Sequence, residues 1–225
     1  MIPSEVLSQV GTPITVDTQI SFLCHRCGDC CRDRLDNPIC LTGYDMYRLA
    51  GALGMRSTIE LIEMRIVFVQ PNRYGLPVCA LSVTPEGACC LLDGNYCAVH
   101  EVKPAVCEMY PLGRLYDAAE GAYTYIHPHG NSCIGSGNGD KKPAMQWLTS
   151  VEKDAVFHAA YETAYVETAE AFLNITHTRY LRKAYYRTIW ALFCGFDPHK
   201  DFFLQLEENM RGLRPLLEKA IKKSR

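Results

Sequence analysis

Apolar residues recur at helical spacing through the last third of the chain. Leu148, Val151, Ala155, Ala159, Val166, Ala169 and Leu173 predict one helix face running from about Pro143 to Leu173. A second helix fits 178–194. A third starts at "DPHKDFFLQLEENM", with Asp197 as its cap and Pro198 in the first turn. Phe203, Leu206, Met210, Leu213 and Leu217 form its stripe, and Gly212 and Pro215 bend or break it. The basic end, "EKAIKKSR", reads as a last helical turn with its cations where the helix dipole favours them.

The first two thirds have a different rhythm. Residues 1–20 read as extended and peripheral. Within them "TPITVDTQISF" alternates weakly, with Ile14, Val16 and Ile20 on one side of a short strand. "LTGYDMYRLAGALG" predicts a helix capped by Thr42, with Met46, Leu49 and Leu53 on one face and Gly54 as its stop. "STIELIEMRIVFV" predicts a helix running into a strand. Between 71 and 140 only short β-like runs occur, "LPVCAL", "ACCLL" and "AYTYIH", among glycines, prolines and cysteines. The expected fold class is therefore α+β. A loop-rich cysteine-knuckle module with short strands, over 1–140, packs on a C-terminal helical bundle over 141–225, and the two form one compact unit.

Composition narrows the function classes. The chain has 225 residues, 48% of them hydrophobic and 21% charged, with a net charge of −2. That is an ordinary balance for a globular protein with a real core, and it argues against nucleic acid or a membrane surface as partner. No apolar run approaches the roughly 18 residues that a membrane span needs. The N-terminus lacks the basic and apolar regions of a secretory signal. The expected location is the cytoplasm, a reducing compartment where stable disulfides are rare.

That expectation bears on the 12 cysteines, eleven of which fall between Cys24 and Cys133. "CHRCGDCC" places Cys24, Cys27, Cys30 and Cys31 together. Two residues between thiols let a turn aim both sulfurs at one ion, and Gly28 eases the backbone. The C-x2-C-x2-C run also matches the opening of a bacterial [4Fe–4S] binding run, without its usual fourth cysteine. Adjacent side chains tend to point apart, so Cys30 and Cys31 read as having separate tasks. Cys89 and Cys90 pose the same question. Downstream, Cys90, Cys97, Cys107 and Cys133 bring the candidate ligands to eight, which could supply two four-thiolate sites or one cluster with several spare thiols. His100, His127 and His129 are nearby nitrogen donors. Cys40, Cys79 and Cys194 read as incidental or buried thiols. All-thiolate donors suit an iron–sulfur cluster or zinc, with [4Fe–4S] favoured by the spacing. A loop-rich region with little continuous core would take folding energy from the metal it binds.

"CHRCGDCC", "ICLTGYDMYRLAGALG", "CCLLDGNYCAVHEVKPAVCEMYP" and "CIGSG" together resemble the CxxCxxCC cysteine-cluster proteins, over roughly 20–140. The resemblance implies a zinc- or iron-chelating domain, with the eight cysteines as ligands and Pro104 and Pro111 as framework. Lys103 stands where that family usually has Arg, and His100 where an aromatic often sits. The family is in turn similar to part of the flagellin lysine-N-methylases, which implies an enzyme alternative, a protein-modifying methyltransferase with an iron–sulfur cluster. A structural zinc module for a protein partner is the third reading. "GSGNG" at 135–139 lacks the preceding strand of a nucleotide or S-adenosylmethionine loop and reads as a turn beside Cys133.

Overall fold

The protein's structure, a computed structural model, describes residues 4–130 and 133–224. The first three residues of the segment read as extended, the "NS" before Cys133 and the last residue of the basic end lie outside it. The described chain is mixed α and β. Helix α1 (Ser4–Val10) leads into strands β1 (Gly11–Ile14) and β2 (Gln19–Phe22). Where an extended segment with one strand was expected, there is thus a helix followed by two strands, joined by a turn in which Thr18 N donates to Thr15 O. After the first cysteines come β3 (Cys40–Leu41), α2 (Gly43–Ala52), α3 (Glu60–Glu63), β4 (Val67–Pro71) and β5 (Pro77–Leu81). The predicted helix–strand run at 57–69 is α3 followed by β4.

The remaining strands are short. β6 (Leu92–Asp93) and β7 (Tyr96–Cys97) form a tight hairpin, α4 (Ala105–Glu108) follows, and β8 (Gly113–Asp117), β9 (Ala122–Pro128) and β10 (Ser136–Pro143) complete the sheets. All pairings are antiparallel: β1–β9–β8, β10–β2, β3–β5–β4 and β6–β7. "ACCLL" does not form a strand. It holds an isolated bridge, Val83 to Cys89, before β6 begins. "GSGNG" is a turn only at its start, where Ser136 N donates to Cys133 O. It then runs on as bulged β10, paired with β2. That strand crosses the boundary expected at 140.

The helical region differs from its sequence pattern in two respects. The expected long helix is two, α5 (Met145–Glu152) and α6 (Ala155–Leu173). The break resets the phase, so α6 buries His158, Tyr161, Ala164, Thr168 and Phe172, while Leu173 is 60% exposed. The expected stripe holds for Leu148 and Val151 but not beyond. A tertiary partner chose the face. Gly43, at the start of α2, lets that helix close on the Tyr161 ring; a Cβ there would sit 2.6 Å from the ring and against the Leu192 carbonyl.

Helix α7 (Thr178–Ile189) continues as a π-helical turn, Trp190–Cys194, and α8 (Phe202–Lys222) follows. The cap of α8 is Asp201, whose carboxylate accepts from Leu204 N; Asp197 instead caps a preceding turn through His199 N. Gly212 and Pro215 sit inside α8 without ending it. Leu206, Met210, Leu213 and Leu217 are buried as predicted, with Phe202 rather than Phe203 at the head of the stripe.

Two apolar clusters hold the molecule together. The larger combines Leu41, Met46, Leu49, Leu61 and Cys79 with Phe193, Phe202, Met210 and Leu213. The smaller combines Ile20, Phe22, Met109 and Leu112 with Leu148 and Val151. Both draw on residues before and after 140. No helix among the described residues is long and apolar enough to cross a membrane.

Candidate metal centre

The first cysteine stretch is a loop closed by a single 3-10 turn, Asp29–Cys31. Gly28 precedes it at φ +78°, and a Cβ there would meet the Arg32 guanidinium at 2.7 Å. The positive φ favours glycine here, and a side chain would displace the Arg32 guanidinium from its bonds. Two arginines stitch the loop in place. Arg32 donates to Cys27 O at 2.7 Å and crosses to the β6–β7 turn, reaching Gly94 O at 2.8 Å and Asn95 Oδ1 at 2.6 Å. Arg34 donates to Cys30 O from Nε at 3.0 Å, and its own N–H donates to Gly87 O. The carbonyl of Cys31 accepts from Cys89 N at 2.8 Å. Backbone and guanidinium hydrogen bonds thus lock three distant segments, around 28–34, 87–89 and 94–97, against one another.

The downstream cysteines are set by the same logic. Cys97 ends β7, where it pairs with Leu92. Cys107 lies in α4, and that short helix is held from beneath by Asp45. Asp45 closes a capping box with Thr42, its Oδ2 accepting from Thr42 N at 2.9 Å and from Thr42 Oγ1 at 2.8 Å, while its Oδ1 accepts from Ala105 N at 2.9 Å. Arg48, on the same helix, bridges Glu108 and Asp154 at 3.4 Å each, all three side chains largely buried. Cys133 accepts from Gly135 N, and Gly135 cannot be larger because a Cβ would collide with Leu23 O. Leu23 N donates to Gly135 O, which joins the Cys133 segment to the one that leads into Cys24.

These segments enclose one cavity of about 100 Å³. Of the eight predicted ligands, Cys24, Cys27, Cys30, Cys31, Cys97, Cys107 and Cys133 line it. Cys90 does not; its thiol faces the Ile66 carbonyl at 3.5 Å. Its neighbour Cys89, buried, lines the cavity instead. Which of the two turns inward follows from the backbone. Cys89 N is bound to Cys31 O and Cys90 N to Ser82 O, which draws Cys89 towards the first cysteine loop, while the two thiols stay hydrogen-bonded to each other. His25 and His100 also line the wall, whereas His127 pairs with Thr12 in the β1–β9 ladder. Cys79 and Cys194 are buried in the main core, and Cys40 is exposed.

The thiols are close enough to shift one another. The Sγ atoms of Cys30 and Cys31 lie 3.9 Å apart. Adjacent side chains were expected to point apart; the 3-10 turn brings them together. The hydrogen bond from Cys31, with help from Arg34 and Lys103, lowers the Cys30 pKa to about 6 despite burial, and the same bond with burial raises that of Cys31. Burial lifts Cys107 to about 12, with added repulsion from Asp45, Cys89, Cys30 and Cys97. Burial and the neighbouring Cys89 and Cys30 raise Cys97 as well. Tyr110 bonds to Cys133 and is raised to about 12, mostly by burial. Cys30, Cys31, Cys89, Cys97 and Cys107 thus form a mutually interacting core of sulfur. Phe22, Ile39, Leu81, Leu91 and Val99 supply the apolar wall.

Among the described residues no three His, Cys, Asp or Glu side chains already meet as a metal-binding group. The thiols line the cavity rather than converge at its centre. The donor set itself, soft sulfur on an apolar wall, fits zinc or an iron–sulfur cluster and not a hard, oxygen-seeking cation.

Residues 23–133 match the model of the CxxCxxCC family, whose description is "Putative zinc- or iron-chelating domain". No curated protein and no solved structure matches the chain significantly.

Proposed function

Because residues 23–133 belong to the CxxCxxCC family, we propose that this protein holds an iron–sulfur cluster of the [4Fe–4S] type in the cysteine cavity and acts in metal handling or electron transfer. One observation carries the reading: eight thiols from five separate stretches line a single cavity. That is enough for a four-thiolate site of either kind, and the C-x2-C-x2-C spacing of the first loop favours the cluster. The ligands are drawn from Cys24, Cys27, Cys30, Cys31, Cys97, Cys107 and Cys133, with Cys89 in the place that the sequence pattern gives to Cys90. Lys103 and Arg34 favour the charged thiolate at Cys30. Arg32 and Arg34 hold the loop carbonyls, so the sulfurs stay oriented. When bound, such a cluster would supply one-electron chemistry, with the apolar wall on its inner side and Cys24 and Cys30 towards solvent.

A specific distance favours a second reading, zinc. The 3.9 Å between the Cys30 and Cys31 sulfurs is close to the edge, about 3.8 Å, of a tetrahedron with metal–sulfur bonds of about 2.3 Å. Two sulfurs so placed suit one ion.

Anaerobic purification of the full chain separates the two. The expected result is a brown protein with a broad absorption band at about 400 nm and matching iron and acid-labile sulfide. A colourless protein with stoichiometric zinc overturns the iron–sulfur reading in favour of zinc. Protein that takes up neither metal after anaerobic reconstitution overturns both.

A further inference from the structure

A second cavity, of about 350 Å³, lies where β8 and β9 meet the face of α6. Its volume falls at the low end of the range for small-molecule sites, roughly 300–1,000 Å³. The metal reading makes no use of it.

Two opposite charges face this space without touching. Arg114, on β8, stacks its guanidinium on the Tyr123 ring at 4.1 Å. Its Nη1 is buried and finds no hydrogen-bond partner among the described residues. Glu162, on α6, has neither a hydrogen bond nor an ion pair among the described residues, and burial raises its carboxyl pKa to about 7 even though Arg114 acts to lower it. The third charged side chain on the wall, Asp45, is fully engaged by Thr42 and by Ala105 N.

Buried opposite charges normally relieve their desolvation by pairing. These two form no ion pair among the described residues, and Arg114 Nη1 is left without a partner. The Tyr123 ring fixes the guanidinium on one side. Next to the charges, Tyr116 Oη and Thr163 Oγ1 lie 2.6 Å apart and tie β8 to α6. The hydroxyl of Tyr123 is also buried without a partner among the described residues, and Tyr161, Tyr165 and Phe193 supply an aromatic wall.

We propose that this cavity binds a small zwitterion of the free amino acid class, its carboxylate on Arg114 and its ammonium on Glu162. Such a ligand pairs both half-buried charges at once. A simple carboxylate would leave Glu162 unpaired, and a simple amine would leave Arg114 so. The aromatic walls suit an apolar or cationic side chain.

The test is calorimetric titration of the full chain, with its metal, at pH 8, against each of the twenty L-amino acids at millimolar concentration. For the tightest binder, the same molecule lacking the amino group and the same molecule lacking the carboxylate are titrated next. The expected result is that at least one amino acid binds and that either truncated analogue binds at least about tenfold more weakly, a difference of about 1.4 kcal/mol. Glu162→Gln and Arg114→Met each lose at least tenfold in affinity and keep the metal content of the parent. Glu162→Gln is isosteric and removes a buried charge, so its loss of binding does not reflect misfolding. The proposal is overturned if no amino acid binds, if a truncated analogue binds as tightly as the intact one, or if Glu162→Gln binds like the parent.

Discussion

Cys89 and Cys90 are neighbours with opposite surroundings. Cys89 is buried against the cysteine cavity, and Cys90 is exposed beside Ile66 O. Their N–H groups are taken by different segments, Cys31 and Ser82, so Cys89 lies on the cavity wall and Cys90 just behind it, thiol bonded to thiol. The ligand proposal therefore makes a paired prediction. Cys89→Ser should lose most of the bound metal, whereas Cys90→Ser should keep it, as measured by metal per chain after anaerobic reconstitution. Equal retention in both variants would remove Cys89 from the ligand set. Cys27→Ser should abolish metal binding and expose the loop to protease. Gly28 sets the same loop by a different route. Its φ of +78° strains any other residue, and a Cβ 2.7 Å from the Arg32 guanidinium would push that guanidinium off the loop carbonyls it holds.

At the scale of elements, α2 carries the most consequence. Its capping box was visible in part as Thr42, but the reach of Asp45 to Ala105 N was not, because the two lie far apart in the chain. That contact anchors α4 and hence Cys107. Thr42→Ala removes the cap and one acceptor-to-donor pairing with Asp45, and should cost about 1–2 kcal/mol in chemical denaturation. An unchanged midpoint would show that Asp45 alone holds the helix start. The α6 register makes a related point. Its sequence is apolar nearly all round, so periodicity alone could not choose the buried face. The break at 153–154 and the contact of Tyr161 with Gly43 chose it.

Across the whole molecule, the cysteine module and the helices share both apolar clusters. Loss of metal should therefore be felt beyond the loops. Removing it with a strong chelator should lower the melting temperature of the whole cooperative transition rather than melt the first 140 residues separately; two separate transitions by calorimetry would contradict this. Glu162 gives the other global prediction. Its carboxyl pKa is about 7 in the folded protein against an ordinary value of 4.5. A raised folded-state value means that the folded protein holds a proton which the unfolded chain releases. Its contribution to stability is thus complete below pH 4.5 and is lost as pH rises towards and through 7. Glu162→Gln should match the parent near pH 4 and exceed it at pH 8, by on the order of 2 kcal/mol after allowing for the solvent that reaches this half-buried side chain. A stability difference independent of pH would refute the assignment.

The sequence by itself determined the local chemistry: four thiols in one loop, more in the next segment, an α+β alternation, the Thr42 cap and the stripe of α8. These are short-range patterns, and the residues that make them are neighbours along the chain. Tertiary structure decided the rest. It put Cys89 rather than Cys90 on the cavity wall, because backbone hydrogen bonds to Cys31 and Ser82 fix where each residue sits. It brought the Cys30 and Cys31 sulfurs to 3.9 Å through a 3-10 turn. It also set Arg114 and Glu162 across one cavity, a juxtaposition no periodicity encodes, since it depends on how β8 docks against α6. Spacing along the chain specifies which donors exist; only packing specifies which of them meet.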